Sequence, residues 1–302
     1  MAAVLRRLAL ASLAANVGIV ITGGAVRLTG SGLGCPTWPR CTDASYVPTA
    51  EMGVHGAIEF GNRMLTGAVG LLAAACVVAA LVARPRRRDH VALSVAVLAG
   101  IPAQAVLGGI TVLTDLNPWW VGGHFLLSMV VIALAYALYV STGPASSEPA
   151  LPRPLRQLVG VIAVVSAAVL VVGTVVTGSG PHAGDADARR TGLDPAVVAQ
   201  LHADLVALLV GLSVALWFAL RAVGLPGRPA AVLVSVELAQ GLVGIVQTVT
   251  HLPVLLVGLH MAGACAVWLA TLALVRSSRS RRITAAIATE SLQDLEEAST
   301  LR

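Results

Sequence analysis

Eight apolar runs dictate what this chain can fold into, because each is long enough to cross a bilayer and together they leave little else. They lie near residues 8–26, 57–83, 91–113, 119–140, 157–177, 195–220, 229–249 and 254–275, and a helical span of the hydrocarbon core needs roughly 20 residues. In lipid the backbone must satisfy its own polar groups, which for segments of this kind means helices. The expected fold class is therefore an all-α integral membrane protein with eight transmembrane helices. Composition excludes a soluble domain: 57% of the 302 residues are hydrophobic and 12% are charged, against the roughly 25% charged residues of ordinary soluble domains.

Arginine placement sets the expected orientation, since short cytoplasmic loops retain positive charge. Arg6 and Arg7, Arg84, Arg86, Arg87 and Arg88, Arg153 and Arg156, Arg221 and Arg228, and Arg276, Arg279, Arg281 and Arg282 alternate onto one side. Arg27, Arg40, Arg189 and Arg190 fall on the other. Both termini are thus expected in the cytoplasm of a cell whose plasma membrane holds the protein. The net charge of +5 reflects topology and does not indicate nucleic-acid binding. The first run is too long for a signal-peptide core and no cleavage site follows it, so it reads as a retained anchor.

The chain repeats itself. Ala103 to His124 superposes on Ala239 to His260 at a constant offset of 136 positions, matching Gln104 with Gln240, Gly108 with Gly244, Thr114 with Thr250, Leu116 with Leu252 and His124 with His260. A second echo pairs Thr29-Gly30-Ser31-Gly32 with Thr177-Gly178-Ser179-Gly180. A Pro- and Ser-rich linker at 141–156 separates an N-terminal half, 1–140, from a C-terminal half, 157–275, and a polar tail follows at 276–302 with Asp294, Glu296 and Glu297. Four helices per half give both halves the same topology, so the expectation is two pseudo-symmetric four-helix bundles related by an axis along the membrane normal. The long outer loop at 27–56 belongs to the first half, and loops of that length in compact proteins are usually functional.

Histidine repeated at one point of a membrane hairpin suggests a ligand. His202 and His260 stand near the outer ends of the sixth and eighth runs, and facing helices of a bundle hold cofactors between them. Two axial histidines suit haem iron; zinc would need about four N, S or O ligands, and Asp204 is the one obvious third. In the first half His124 is the counterpart of His260, while helix order puts Asn62 at the place of His202. That pocket is read as ligating through His124 alone, with Asn62 or His55 possible on the opposite side, or as holding a haem as substrate. Glu59 stands three residues before Asn62 where the second half has Ala199, so a carboxylate adjoins one site and not the other. Arg27 and Arg63 are candidate clamps for haem propionates, with interface anchoring as the plainer alternative. Cys35 and Cys41 share the outer loop, where a disulfide is permitted and would constrain a Gly- and Pro-rich segment; Cys76 and Cys265 read as buried apolar residues. Glu237 reads as a proton relay or an interhelical hydrogen bond, and His90, His182 and His251 as solvated loop residues.

The strings VRLTGSGLGCPTWPRC, IEFGNR, QAVLGGITVLTDLNPWWVGGHFLLSM, QLHADL and LVGLHMAG resemble the haem A synthase family of cytochrome oxidase assembly over nearly the whole chain to about Val275. The resemblance implies a bacterial membrane oxidoreductase that oxidises the methyl group of haem O to the formyl group of haem A by successive hydroxylations. It implies haem B (heme b) as cofactor on His202 and His260, haem O as substrate on His124, Glu59 as the catalytic carboxylate, and Cys35 and Cys41 as the family's loop pair. The haem O synthase that supplies the substrate is the implied partner, besides the lipid bilayer. Asn62 departs from a family pattern that has histidine in E-x-x-H. The alternatives are a dihaem b-type electron-transfer cytochrome, which needs two comparable pockets, and a transporter with duplicated halves.

Overall fold

A computed structural model describes residues 2–144 and 150–279. The middle of the expected linker and the tail from 280 onward, with its acidic cluster, lie outside the described residues. The described chain is helical: α1 (Ala2–Leu28), a 3-10 turn at Ala50–Met52, α2 (Gly53–Val82), α3 (Arg88–Leu113), α4 (Pro118–Ser141), α5 (Arg153–Ser179), α6 (Pro195–Ala222), α7 (Arg228–Val249) and α8 (Val254–Ser278). All eight helices are long and apolar enough to cross a membrane. The chain is a multi-pass membrane protein.

Several helices outrun their apolar sequences because residues at the membrane interface continue them. α1 starts before the expected residue 8 and includes Arg6, whose guanidinium sits 4.6 Å from the Tyr139 ring centroid and donates to its hydroxyl at 3.1 Å. Proline occupies one of the first two positions of α4, α5, α6 and α7, where no helical N–H is lost. Asn117 caps α4 by accepting from the Trp119 amide, and Asp194 caps α6 by accepting from Ala196 at 2.8 Å, each satisfying an otherwise unpaired donor.

The sequence repeat is visible in the backbone. α3 and α7 end, and α4 and α8 begin, at the same offset of 136. Both tips place two non-glycine residues in the left-handed region, Asp115 and Leu116 (φ 51° and 55°) and His251 and Leu252 (φ 61° and 59°). The Leu116 amide returns to Thr111 O at 2.8 Å, as the Leu252 amide does to Gln247 O at 2.7 Å, the six-residue closure that ends helices in a left-handed turn. Such φ values cost a leucine about 1 kcal/mol or more. At Leu116 packing compensates: the side chain is buried with Ala183 and Ala188, and a Cβ on Gly32 or Gly184 would meet it at 2.8 and 3.1 Å.

Within the first half the helices contact one another in the closed order α1, α2, α3, α4, and within the second half in the order α5, α6, α7, α8. The diagonal pairs, α2 with α4 and α6 with α8 among them, do not meet at backbone distance. α1 and α4 join the halves to α5 and α8. The end that carries the 29–52 loop and the two hairpin tips is called the outer end. Apart from the small cluster around Leu116, the cores lie toward the other end: Val159, Ile162, Leu209, Leu216, Leu220, Ala230, Leu233 and Leu274 belong to one in the second half. Among the described residues α7 buries nothing beyond Glu237 and α8 nothing before Cys265. On α7 and α8 close packing therefore stops below the level of His260, and the diagonal helices leave room there for side chains to face each other.

Candidate functional site

His202 on α6 and His260 on α8 face each other across the second half, with ring centroids 6.4 Å apart and planes inclined at 68°. Each ring lies against a glycine of the neighbouring helix. A Cβ on Gly173 of α5 would be 3.2 Å from His202 Cε1, and one on Gly244 of α7 would be 3.2 Å from His260 Cε1. These glycines let each ring bring its Nδ1–Cε1 edge against the neighbouring helix backbone. Nδ1 of each ring is buried on the edge that lies against the glycine, so the opposite edge, with Nε2, is the one left to meet a ligand.

The pair suits a metal coordinated from two sides. Bonds of about 2 Å from one nitrogen of each ring, with the ring dimensions added, put the centroids roughly 6 Å apart. No group of three or more His, Cys, Asp and Glu residues able to hold an ion occurs among the described residues. The donor set therefore fits a metal that brings its remaining ligands with it, as haem iron does, and does not fit zinc. Asp204 is exposed and receives a 2.7 Å hydrogen bond from Gln200.

The first half reproduces one side of this arrangement. His124 on α4 lies against Gly108 of α3, again with Cε1 3.2 Å from the glycine Cβ position, and its Nδ1 is again buried without a partner among the described residues. The repeated glutamines brace the same hairpins. Gln240 donates to the His260 carbonyl at 2.7 Å, whereas Gln104 reaches Ser128 at 2.6 Å, whose hydroxyl donates to the His124 carbonyl at 3.1 Å. On the diagonal helix α2, Asn62 accepts from the Thr22 hydroxyl at 2.7 Å. His55 is exposed at the outer end, 2.9 Å through Nδ1 from the Ser31 hydroxyl, so the structure ties it to the outer loop.

Glu59 and Arg63, one turn apart on α2, grip the outer loop. The Glu59 carboxylate accepts from the Cys35 amide through one oxygen and from Arg63 Nη2 (2.6 Å) and Nε (3.2 Å) through the other. Arg63 also donates to the carbonyls of Cys35 (3.0 Å) and Arg40 (3.2 Å). Both backbone groups of Cys35 are thereby held, beside a formed Cys35–Cys41 disulfide whose Cα atoms are 4.5 Å apart. The Glu59 side chain is 8% exposed and that of Arg63 21%, so this is a desolvated, hydrogen-bonded ion pair.

Arg27 joins the halves: it donates to the carbonyls of His182 (2.5 Å) and Thr177 (2.9 Å). His182 in turn bonds the Leu252 carbonyl at 2.9 Å and His90 the Ser141 carbonyl at 3.1 Å. Both are half-buried links between segments and not solvated loop residues, because the loops fold back on the bundle where solitary helix ends would face water. Glu237 makes an interhelical bond, accepting from Ser213 at 2.9 Å. Cys76 and Cys265 are buried free thiols. Sequence reasoning passes over Trp38, which lies between the disulfide cysteines and packs directly on Gly109 of α3. The sequence signal is a large ring inside a seven-residue disulfide loop, with a glycine pair on α3 that the second half does not repeat.

A family model described as cytochrome oxidase assembly protein matches residues 6–272. Among curated proteins, Heme A synthase of Shewanella oneidensis is 30% identical over 141 residues, 42% of this chain and 42% of that protein. Heme A synthase of Geobacillus thermodenitrificans is 30% identical over 125 residues, 41% of this chain and 38% of that protein. Protoheme IX farnesyltransferase of Haloarcula marismortui is 31% identical over 136 residues, 43% of this chain and 28% of that protein. The aligned part thus spans less than half the length of each of these relatives.

Proposed function

The chain belongs to the cytochrome oxidase assembly protein family, and from that premise we propose that it is a haem A synthase, oxidising the methyl group of haem O to the formyl group of haem A by successive hydroxylations. The observation that carries this reading is the contrast between two repeat-related sites: an opposed histidine pair in the second half, and in the first a single histidine, with Asn62 on the diagonal helix in the place that helix order gives to His202 and a carboxylate one turn from it.

His202 and His260 would hold haem B, with Gly173 and Gly244 fixing the ring planes. Haem B bound there supplies one-electron redox chemistry. In the first half His124 binds and orients the substrate, and Asn62, fixed by Thr22, closes the opposite side without adding a strong ligand. Glu59 holds the negative charge at the mouth of that site and takes up the proton, with Arg63 as counter-ion and the Cys35 amide fixing its direction. The proposed division assigns the substrate to 1–140 and the cofactor to 157–275. The Arg-rich sides support cytoplasmic termini in a bacterial plasma membrane. A relative named protoheme IX farnesyltransferase supports, as partner, an enzyme that farnesylates haem.

The test is to purify the protein, record its visible spectrum, supply haem O and separate the extracted haems. Haem A is the expected product. His202→Ala or His260→Ala should remove the tightly held b-type absorption, and His124→Ala should leave it. Two low-spin b-type haems without conversion would point instead to an electron-transfer cytochrome.

A further inference from the structure

We propose that Trp38 is a substrate-positioning residue of the first-half site, an indole wall laid beside His124 to contact a flat aromatic macrocycle. This deepens the assignment of the first half to the substrate and rests on it. α3 carries two consecutive glycines with different tasks. Gly108 receives the His124 ring, and Gly109 receives Trp38, where an added Cβ would stand 2.7 Å from the indole Cγ and Cε2. Consecutive residues of a helix point about 100° apart, so the imidazole and the indole flank one sector of α3. Trp38 reaches it from the α2 side, since Cys35 and Arg40, three residues before and two after, are both bonded to Arg63.

The attachment is rigid. The loop is closed by the Cys35–Cys41 disulfide, and Glu59 and Arg63 hold both backbone groups of Cys35. Such fixation is more than a loop needs merely to cover a helix end, and it is what a wall needs to present a ring in one orientation. Trp38 is half-buried, so part of the indole stays open after Gly109 covers its share. Among the described residues the second half has no such device. At the offset of 136 the place of Gly109 is taken by Ile245, which is 65% exposed. The indole therefore adjoins only the site read as holding substrate, and aromatic rings favour offset-stacked or edge contacts with one another.

The experiment compares Trp38→Ala, Trp38→Phe and Gly109→Ile in the full chain with haem B in place. Binding of haem O is titrated by the Soret difference spectrum, and KM and kcat are measured for its conversion. Trp38→Ala should weaken haem O binding and raise KM by roughly five- to tenfold, with kcat and the second-half spectrum unchanged. Trp38→Phe should recover most of the affinity. Gly109→Ile, which displaces the ring but leaves Trp38 present, should behave like Trp38→Ala. Wild-type affinity in both Trp38→Ala and Gly109→Ile overturns the proposal, as does a loss confined to kcat. If Trp38→Ala does not accumulate, Trp38→Phe and Gly109→Ile decide. Wild-type protein that neither binds nor converts haem O overturns the substrate assignment itself, a distinct outcome.

Discussion

Replacing Glu59 separates its observed grip on the outer loop from the proton-accepting role proposed for the same carboxylate. Glu59→Ala removes the acceptor of the Cys35 amide and the partner of Arg63 at 2.6 and 3.2 Å. Each hydrogen bond to a charged group contributes about 1.5–3 kcal/mol. Arg63 keeps its two carbonyl partners, so the loop should lose about 3 kcal/mol in place of the full sum. Glu59→Gln keeps an acceptor for Cys35 and a neutral one for Arg63 and should cost about 1 kcal/mol. Hydrogen exchange of the peptide covering residues 35–45 reads this directly. About 1.4 kcal/mol is a factor of ten, so Glu59→Ala should accelerate exchange by about a hundredfold and Glu59→Gln by less than about tenfold. Haem A formation should be abolished by both, because neither side chain takes up a proton. If Glu59→Gln forms haem A at the wild-type rate, the proton-accepting role is refuted. If Glu59→Ala leaves exchange of 35–45 unchanged, the clasp is refuted.

Gly244→Ala places a methyl 3.2 Å from His260 Cε1 and should tilt the ring by a few tenths of an ångström. The expected result is several-fold faster loss of haem B on dilution, read by the Soret band, with haem O binding to the first half unaffected. Asn62→His adds an imidazole on α2, the helix diagonal to the one that carries His124. It should give bound haem O a low-spin spectrum and a lower Kd than in wild type, and an unchanged spectrum would show that α2 does not face the substrate at this point.

How much of this was legible in the sequence depends on the range over which each feature is determined. The spans follow from local hydropathy, and only their ends move, as at Arg6. The hairpins were legible to the residue, because the offset that aligns His124 with His260 also aligns the turns at Leu116 and Leu252. The histidine-bearing helices were legible as well, but the role of Gly108, Gly173 and Gly244 was not, since a glycine in an apolar run gives no sign of which neighbour it admits. The outer loop was least legible. Its path is set by Glu59 and Arg63 gripping Cys35 from 24 and 28 residues away, and no periodicity encodes such a contact. His55 shows the consequence: the sequence allows it to turn toward the first-half pocket, and Ser31 takes it instead.

The differences between the halves bear on why a duplicated site would diverge. Two imidazoles from opposite sides favour retention, which suits a group that stays. A substrate that must leave after oxidation is better served by one strong ligand and by contacts of moderate strength around it. On the proposed function, Asn62 in place of the second imidazole lowers the hold along the axis, and Trp38 on Gly109 returns some binding through a face or edge of the macrocycle. That exchange moves affinity from a metal bond, which would have to break before release, to dispersion contacts that can be lost gradually. It also gives Glu59 its setting. The carboxylate that would take the proton is the one that anchors the indole loop, so the substrate-facing wall and the proton acceptor keep a fixed relation to each other. Asn62→His and Trp38→Ala should consequently shift haem O affinity in opposite directions, and the double variant should lie between them. A double variant that binds more weakly than Trp38→Ala alone would mean that the two groups do not contact the same substrate.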